Sequence, residues 1–456
     1  MMTARTMSGP SFPAMDGGSV SRSPGSPSGS DSGSDFEPNP VDDFVSPVLS
    51  VKFGSWRCSS KTPMQQQSTV VPLSILGDVS VSLLFFVIFG SLKAHCRSFP
   101  TMDEKRRTFL ETLLTTPSPS GFEVPGQRVW VEYVSEFADE VRTDEYGNAV
   151  AVVEGDGPEL AFAGHADQIG FIVAGIDDDG FIRIDRIGGT DRTVTKGQHV
   201  VIHADDGTVN GVVGQRAIHL RDTEDDEFDD IVEQHVDIGV ESEEEAAELV
   251  DVGDPITYTP TVEDLRGTRL AGPGIDNRVG TWVAAEALRR AAERDADATV
   301  YAVSTVQEEL GLQGAKMVGF DLDPDAIVAI DVTHAMDSPD VDGEKRFSDL
   351  TIDLGGGPVV ARGSANHPEV VAAVREAADE AGVPVQLQAA GIYTGTDADA
   401  FFTARGGTPS LNLGLPNRYM HTPVEVIDTD DLDASADLLA EFAVRASDRD
   451  GFEVDI

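Results

Sequence analysis

Cysteine is almost missing from this chain: of 456 residues only Cys58 and Cys96 are cysteines, and both precede residue 102. From Met102 onward there is therefore no disulfide, no cysteine metal ligand and no thiol nucleophile, which suits a reducing, cytoplasmic interior. Any metal site there is restricted to imidazole and carboxylate donors. Basic residues are scarce in the same stretch. Residues 1–101 carry seven Lys or Arg against seven Asp or Glu, whereas residues 102–456 carry 26 against 73, so the whole formal charge of −47 lies on the latter. A surface of that sign repels nucleic acid and anionic membranes, and neither is expected as a partner. Long apolar runs are lacking too. Val79–Leu92 is mostly apolar over 14 residues between Asp78 and Lys93; it falls short of the roughly 18 that read as a membrane span and lies too far from Met1 for a simple signal peptide. Residues 102–456 also contain no phosphate loop, no Gly-x-Ser-x-Gly elbow and no dinucleotide fingerprint, so those chemistries have no support.

What is present divides the chain. Residues 8–48 are rich in Ser, Gly and Pro, a composition that cannot bury a core, and disorder is expected there. The composition changes abruptly at Met102-Asp103-Glu104-Lys105, which opens a charged helix, and Met102 is read as the true start, with residues 1–101 an extension. The acid excess beyond it is spread through every surface segment. That distribution is expected of a protein kept soluble in concentrated salt, since salt screens self-repulsion, and a halophilic source follows as a hypothesis.

The body reads as α/β. Phe109, Leu110, Leu113 and Leu114 have helical spacing, followed by a Pro/Ser/Gly loop, a second helix over Gln127–Phe137, a strand over Asn148–Val153 and a buried strand over Leu160–Ala163. From Gly170 to Tyr258 the texture becomes short β runs between Gly and Asp turns, with one helical insertion around Glu243–Leu249. After Asp264 the α/β rhythm returns: a helix through Val279–Leu288, strands Thr299–Ser304 and Ala326–Ile330, a helix Glu369–Ala381 and a strand Ser410–Leu413. The expected architecture is one α/β core, residues 102–169 and 265–456, with a central mixed sheet flanked by helices. A small β domain, residues 170–264, is inserted in it.

Apolar strands that end in acids or histidine carry the chemistry. Leu160–Ala163 precedes His165, Thr299–Thr305 precedes Glu308 and Glu309, and Ala326–Ile330 precedes Asp331. Open α/β sheets bind ligands at the carboxyl ends of their strands. Asp276 precedes a helix and His421 follows the last strand, so these side chains can converge on one edge. Adjacent acids are common in so acidic a body, and Glu243-Glu244-Glu245 is a solvated helix face. Glu308-Glu309 differs by its position directly after an apolar strand, where carboxylates are costly without a cation or a proton. Imidazole and carboxylate without sulfur suit zinc, cobalt or manganese, and one shared carboxylate can bridge two ions about 3.5–4 Å apart. Asp167, two residues beyond His165 on an extended chain, projects the same way and can orient that imidazole. Of the other histidines, His199, His203, His219, His235, His334 and His367 default to structural roles, with His219 and His334 the exceptions to watch because each sits beside a strand end. Thr396-Asp397 is read as capping a helix Ala398–Thr403 rather than lining a pocket.

With those residues in place, the pattern resembles the tetrahedral-assembly aminopeptidases, metallopeptidase family forty-two, whose members carry names such as glutamyl or deblocking aminopeptidase and, misleadingly, endoglucanase. The resemblance runs from Met102 to Asp448. It rests on Ala163-Gly164-His165-Ala166-Asp167-Gln168-Ile169-Gly170, Asp276-Asn277-Arg278-Val279-Gly280, Gln307-Glu308-Glu309-Leu310-Gly311, Ala329-Ile330-Asp331-Val332-Thr333-His334 and Arg418-Tyr419-Met420-His421. It implies a two-metal aminopeptidase acting on peptide amino termini. His165 and Asp331 would bind one metal, Glu309 and His421 the other, and Asp276 both; Asp167 would orient His165 and Glu308 would be the general base. Asp331 and His421 rest more on this pattern than on local spacing. The resemblance also implies that the inserted β domain dimerises and that dimers assemble into a dodecamer. Two readings compete: a glycosidase using Glu308 or Glu309 in a carboxylate pair, and a non-catalytic assembly protein that keeps the cage for structure.

Overall fold

Four strings of small and β-branched residues, Thr299–Thr305, Glu159–His165, Ala326–His334 and Ser410–Asn417, are buried almost throughout and lie side by side in parallel. Strands buried on both faces read as continuous apolar runs, as these do. They form the centre of an eight-stranded mixed sheet in the computed structural model, which describes residues 102–221, 228–339, 341 and 352–456. Ala149–Val153 and Glu140–Thr143 extend the sheet antiparallel on one side, and Val359–Arg362 with Gln386–Ala389 complete it on the other. The readings made for residues 1–101, including disorder, the apolar run Val79–Leu92 and Met102 as the start, lie outside the described residues.

One face of the sheet is covered by the helices Glu104–Thr115, Val124–Val134, Ile275–Glu293, Pro368–Ala381 and Thr429–Ala446, whose buried Leu110, Trp130, Trp282, Val374 and Leu439 belong to a single apolar core. The other face is thinner, closed by Gln313–Asp321 and the short turn of helix Ala398–Phe401. The inserted strands, from Gly170–Ile176 to Pro255–Tyr258, close into a six-stranded barrel around Phe171, Ile184, Ile202 and Ile256. Glu263–Asp264 is not part of that barrel. It pairs with Arg269–Gly272, which in turn pairs with Glu425–Asp428, in a three-stranded sheet beside the core.

Register puts the functional side chains at one edge. Thr305 pairs with His165, and Ala163 pairs with Ala329. His165 and Asp331 thus stand two residues past the same rung. The Asp331 strand does not end there, contrary to the reading from sequence. It continues to His334 because Ser410–Asn417 keeps pairing with it, Asp331 opposite Gly414 and His334 opposite Asn417. Asp331 therefore sits inside a strand, where its neighbour on the His165 side has already left. That departure frees the Ile330 carbonyl, which accepts from Asn277 Nδ2 at 2.7 Å.

Candidate metal centre

Each residue of Asp276-Asn277-Arg278 has a separate task. Asp276 and Asn277 leave helical geometry (ψ 111° and 36°), so Asp276 stands at the break before the helix body. Asn277 Oδ1 accepts from the Gly280 amide at 3.1 Å, capping the helix while its Nδ2 grips the Ile330 carbonyl. Arg278, fully buried, donates to the carbonyls of Gly274, Pro273, Leu113 and Thr116 at 2.7–3.0 Å, fixing the approach to Asp276 against the first helix. His165 reaches the same point from the strand because Gly164 lies against Gly280. A Cβ on Gly164 would stand 2.5 Å from the Gly280 carbonyl carbon, so only glycine permits that approach.

The two carboxylate oxygens of Asp276 face different imidazoles: Oδ1 lies 3.3 Å from His165 Nε2, and Oδ2 lies 3.3 Å from His421 Nε2. Around His165 Nε2 stand Asp331 Oδ1 at 3.7 Å and Glu308 Oε2 at 3.8 Å. Around His421 Nε2 stands Glu309 Oε1 at 3.5 Å. Ligand atoms of His165, Glu308 and Asp331 thus lie within 4.8 Å of one another, as do those of Asp276, Glu309 and His421. All seven residues singled out in the sequence meet here. Asp167 lies behind, its Oδ1 3.2 Å from His165 Nδ1. It does more than face that imidazole: its two oxygens accept from the amides of Glu308 and Glu309, and Oδ2 from Ser120 Oγ, so it also shapes the turn that presents the acid pair. Glu123 supports the same turn by accepting from Gln307 N.

His421 owes its orientation to the barrel domain. Its Nδ1–H donates to the Gly189 carbonyl at 3.1 Å, in the loop after the barrel strand Ile182–Ile187, which leaves Nε2 pointing at Asp276 and Glu309. Gln307, Tyr419 and His421 are all non-glycine residues with left-handed backbone (φ 54°, 62° and 63°), a clustering found at functional sites.

The electrostatics are those of too many acids and too few cations. Among the described residues, the cleft of about 530 Å³ that these side chains line has no Lys or Arg. Burial pushes Glu308 up to about 10 and Glu309 to about 7, and raises Asp331. Burial works against the charge on His165, yet the negative charge of Glu308 and the contacts with Asp167, Asp276 and Asp331 raise it well above the usual histidine range. Contact with Asp276 pushes His421 up to about 9. Burial opposes ionisation of Asp276 too, but both imidazoles outweigh it and hold that carboxyl below the usual range. A divalent cation favours ionised carboxylate and neutral imidazole, so it reverses these displacements. Four carboxylates, two imidazoles and no fixed cation fit two such ions, with hard and borderline donors and no sulfur.

Other sequence readings move. His334 lines the same cleft, whereas His219 is exposed in a short helical turn outside it. Asp397 does not cap by its side chain. The helix ends at Phe401, and Asp397 is buried, its Oδ2 accepting from Thr305 Oγ1 at 2.6 Å, with burial pushing it up to about 7. Thr396 accepts from Ala398 N and lines the cleft. Glu425 was not singled out by the sequence at all. It is fully buried and accepts from the Asp276 amide at 2.8 Å. An acid between valines, Val424-Glu425-Val426, is its only local signal, and 73 acids in the body drown it.

A model of the M42 glutamyl aminopeptidase family matches residues 147–438. The lysyl aminopeptidase of Pyrococcus furiosus is 34% identical over 331 residues, 71% of this chain and 92% of that protein. Among solved structures, a TET aminopeptidase from a marine sediment archaeon of the Thaumarchaeota superposes with a TM-score of 0.70 at 31% identity, covering 75% of this chain and 97% of that one. The Pyrococcus horikoshii TET1 peptidase, which can assemble into a tetrahedron or a large octahedral shell, follows with a TM-score of 0.65 at 28% identity over 74% of this chain and 99% of its own.

Proposed function

The chain belongs to the M42 glutamyl aminopeptidase family and is a metal-dependent aminopeptidase, a hydrolase of peptide bonds; from that premise we propose the division of labour within its site. His165 and Asp331 hold one divalent ion, Glu309 and His421 hold a second, and Asp276 is shared. The single observation that carries this is the Asp276 carboxylate, whose two oxygens each face a different imidazole at 3.3 Å. Zinc or cobalt suits the donor set best, with manganese also compatible. Bound there, the ions supply Lewis acidity for a peptide carbonyl and lower the pKa of water.

Glu308 is the general base. Its carboxylate stands with His165 and Asp331, 3.8 Å from His165 Nε2, and among the described residues no hydrogen-bond donor holds its oxygens, while its amide is fixed by Asp167; the side chain is therefore free to take a proton from the attacking water and return it to the leaving amine. Asp167 holds His165 in the orientation that presents Nε2, and the Gly189 carbonyl does the same for His421. Exo cleavage at a free peptide amino terminus is proposed with the family reading. Glu308→Gln is expected to lower kcat on an aminoacyl-anilide by a factor of about 10²–10⁴, with two ions still bound. Substantial residual turnover would remove Glu308 from that role, and unaffected turnover after exhaustive chelation would remove the metal assignment.

The assembly is proposed on the same footing: dimers formed through the inserted segment, residues 170–264, which contains the barrel, building a homo-oligomer of the dodecameric kind, in the cytoplasm. No helix among the described residues is long and apolar enough to cross a membrane.

A further inference from the structure

We propose that Glu425 is a positioning residue of the metal centre: it locks the loop carrying Asp276 to the turn carrying His421 and thereby sets how far apart two cations are held. The proposal rests on the reading of Asp276 as the shared ligand. Glu425 opens the strand Glu425–Asp428, opposite Gly272, four residues beyond His421. Its Oε2 accepts two hydrogen bonds, from the Asp276 amide at 2.8 Å and from Asn417 Nδ2 at 3.1 Å. Asn417 is the last residue of its central-sheet strand, and the next residue, Arg418, exchanges backbone hydrogen bonds with Val426 at 3.0 Å in both directions. The turn that presents His421 is therefore closed at its base by Asn417–Glu425 and Arg418–Val426.

Asp276 needs such a partner. The helix break at Asp276 and Asn277 puts its amide at the unsatisfied end of a helix, in a fully buried position where a lost partner is costly. Glu425 supplies the acceptor, and because the same oxygen also holds Asn417, movement of the Asp276 loop is transmitted to the His421 turn. Among the described residues the other oxygen, Oε1, is buried without a partner, so the joint runs through Oε2. A neutral amide with its oxygen in that place preserves both hydrogen bonds.

The test compares full-length Glu425→Ala and Glu425→Gln with wild type, each stripped and titrated with cobalt, following stoichiometry and affinity by calorimetry, the cobalt visible spectrum, and kcat and KM on an aminoacyl-anilide. Glu425→Ala is expected to weaken one cobalt ion and lower kcat by about 10–100-fold, the usual cost of losing a group that orients ligands, with KM little changed and the spectrum altered. Glu425→Gln is expected to restore affinity, spectrum and kcat. Should Glu425→Ala fail to fold, Glu425→Met, similar in volume but with only a weakly accepting thioether in place of the carboxylate, takes its place and is expected to show the same losses. Alanine or methionine variants with wild-type affinity and kcat overturn the proposal, as does a glutamine variant no better than they are. Fewer than two cobalt ions on the wild type would instead overturn the cage reading on which it stands.

Discussion

At the scale of single residues the site is defined by displaced protonation, and that has a measurable consequence for stability. Burial raises the carboxyls of Glu123, Glu309, Asp397 and Asp431 to about 7, Glu425 to about 8 and Glu308 to about 10, and the Asp276 contact raises His421 to about 9. A group whose folded pKa lies above its unfolded value contributes stability that is full below the unfolded pKa and is lost as pH rises through the folded one. Asp167, Asp276 and Glu286 are displaced downward, so their contributions change only in acid and are constant above about pH 5. The metal-stripped protein is therefore expected to lose Tm steadily between about pH 6 and pH 9. The metal-loaded protein loses less, because bound cations keep the cage carboxylates ionised in the folded state. Thermal unfolding of both forms at fixed ionic strength checks this; a flat or rising Tm in the stripped protein contradicts it. At this scale the sequence was legible where a residue's position spoke for it. His165, Asp276, Glu308 and Glu309 follow apolar strands or precede a helix, and Asp167 follows His165 by two. Glu425 and the Gly189 carbonyl carry no such mark, since one is an acid among many and the other is backbone.

At the scale of elements, the strand of His165 and the helix after Asp276 meet through two glycines, and the metal centre depends on how close they come. A Cβ on Gly280 would lie 2.4 Å from Asn277 Oδ1 and 2.7 Å from the Ile330 carbonyl, displacing the cap that joins the helix to the Asp331 strand. A Cβ on Gly164 would meet helix backbone, which has no rotamer by which to yield. Gly164→Ala is expected to destabilise the protein by about 1–3 kcal/mol and to weaken metal binding as His165 moves away from Asp276. Denaturant unfolding and a metal titration together measure both effects, and an alanine variant with wild-type stability shows that the contact is looser than the structure has it. The α/β core and the all-β insertion were readable, because period-2 runs between Gly and Asp turns differ from long apolar runs followed by helices. Less legible were Val359–Arg362 and Gln386–Ala389, four residues each at the sheet edge, and Thr429–Ala446, whose acids at Asp430, Asp431 and Asp433 mask the buried Leu432, Leu438, Leu439 and Phe442. The extent of the Asp331 strand was also out of reach, since it is set by pairing with residues some eighty positions away.

At the scale of the whole molecule, charge governs. Residues 102–456 carry 73 acids against 26 bases, and the resulting self-repulsion is present in the folded state more than in the expanded one, so it opposes folding. Salt weakens it. Exposed charges interact over roughly 10 Å at 0.1 M and roughly 3 Å at 1 M, so screening of neighbouring surface acids is nearly complete by about 1 M. The expected result is a Tm that climbs steeply with potassium chloride up to about 1 M and then flattens. Surface ion pairs such as Arg294–Asp437 and Arg449–Glu376 weaken over the same range, but pairs of this kind are each worth about 1 kcal/mol or less and cannot reverse the trend. The metal centre offers an internal control. Its carboxylates are buried and close to their imidazoles, so salt screens them little, and metal affinity is expected to change far less with salt than Tm does. Unfolding scans and cobalt titrations from dilute buffer to several molar salt separate the two. If Tm is independent of salt, the acid excess is not a halophilic adaptation; if Tm keeps rising in proportion beyond 1 M, exclusion of salt from the surface, rather than screening, is what stabilises the fold.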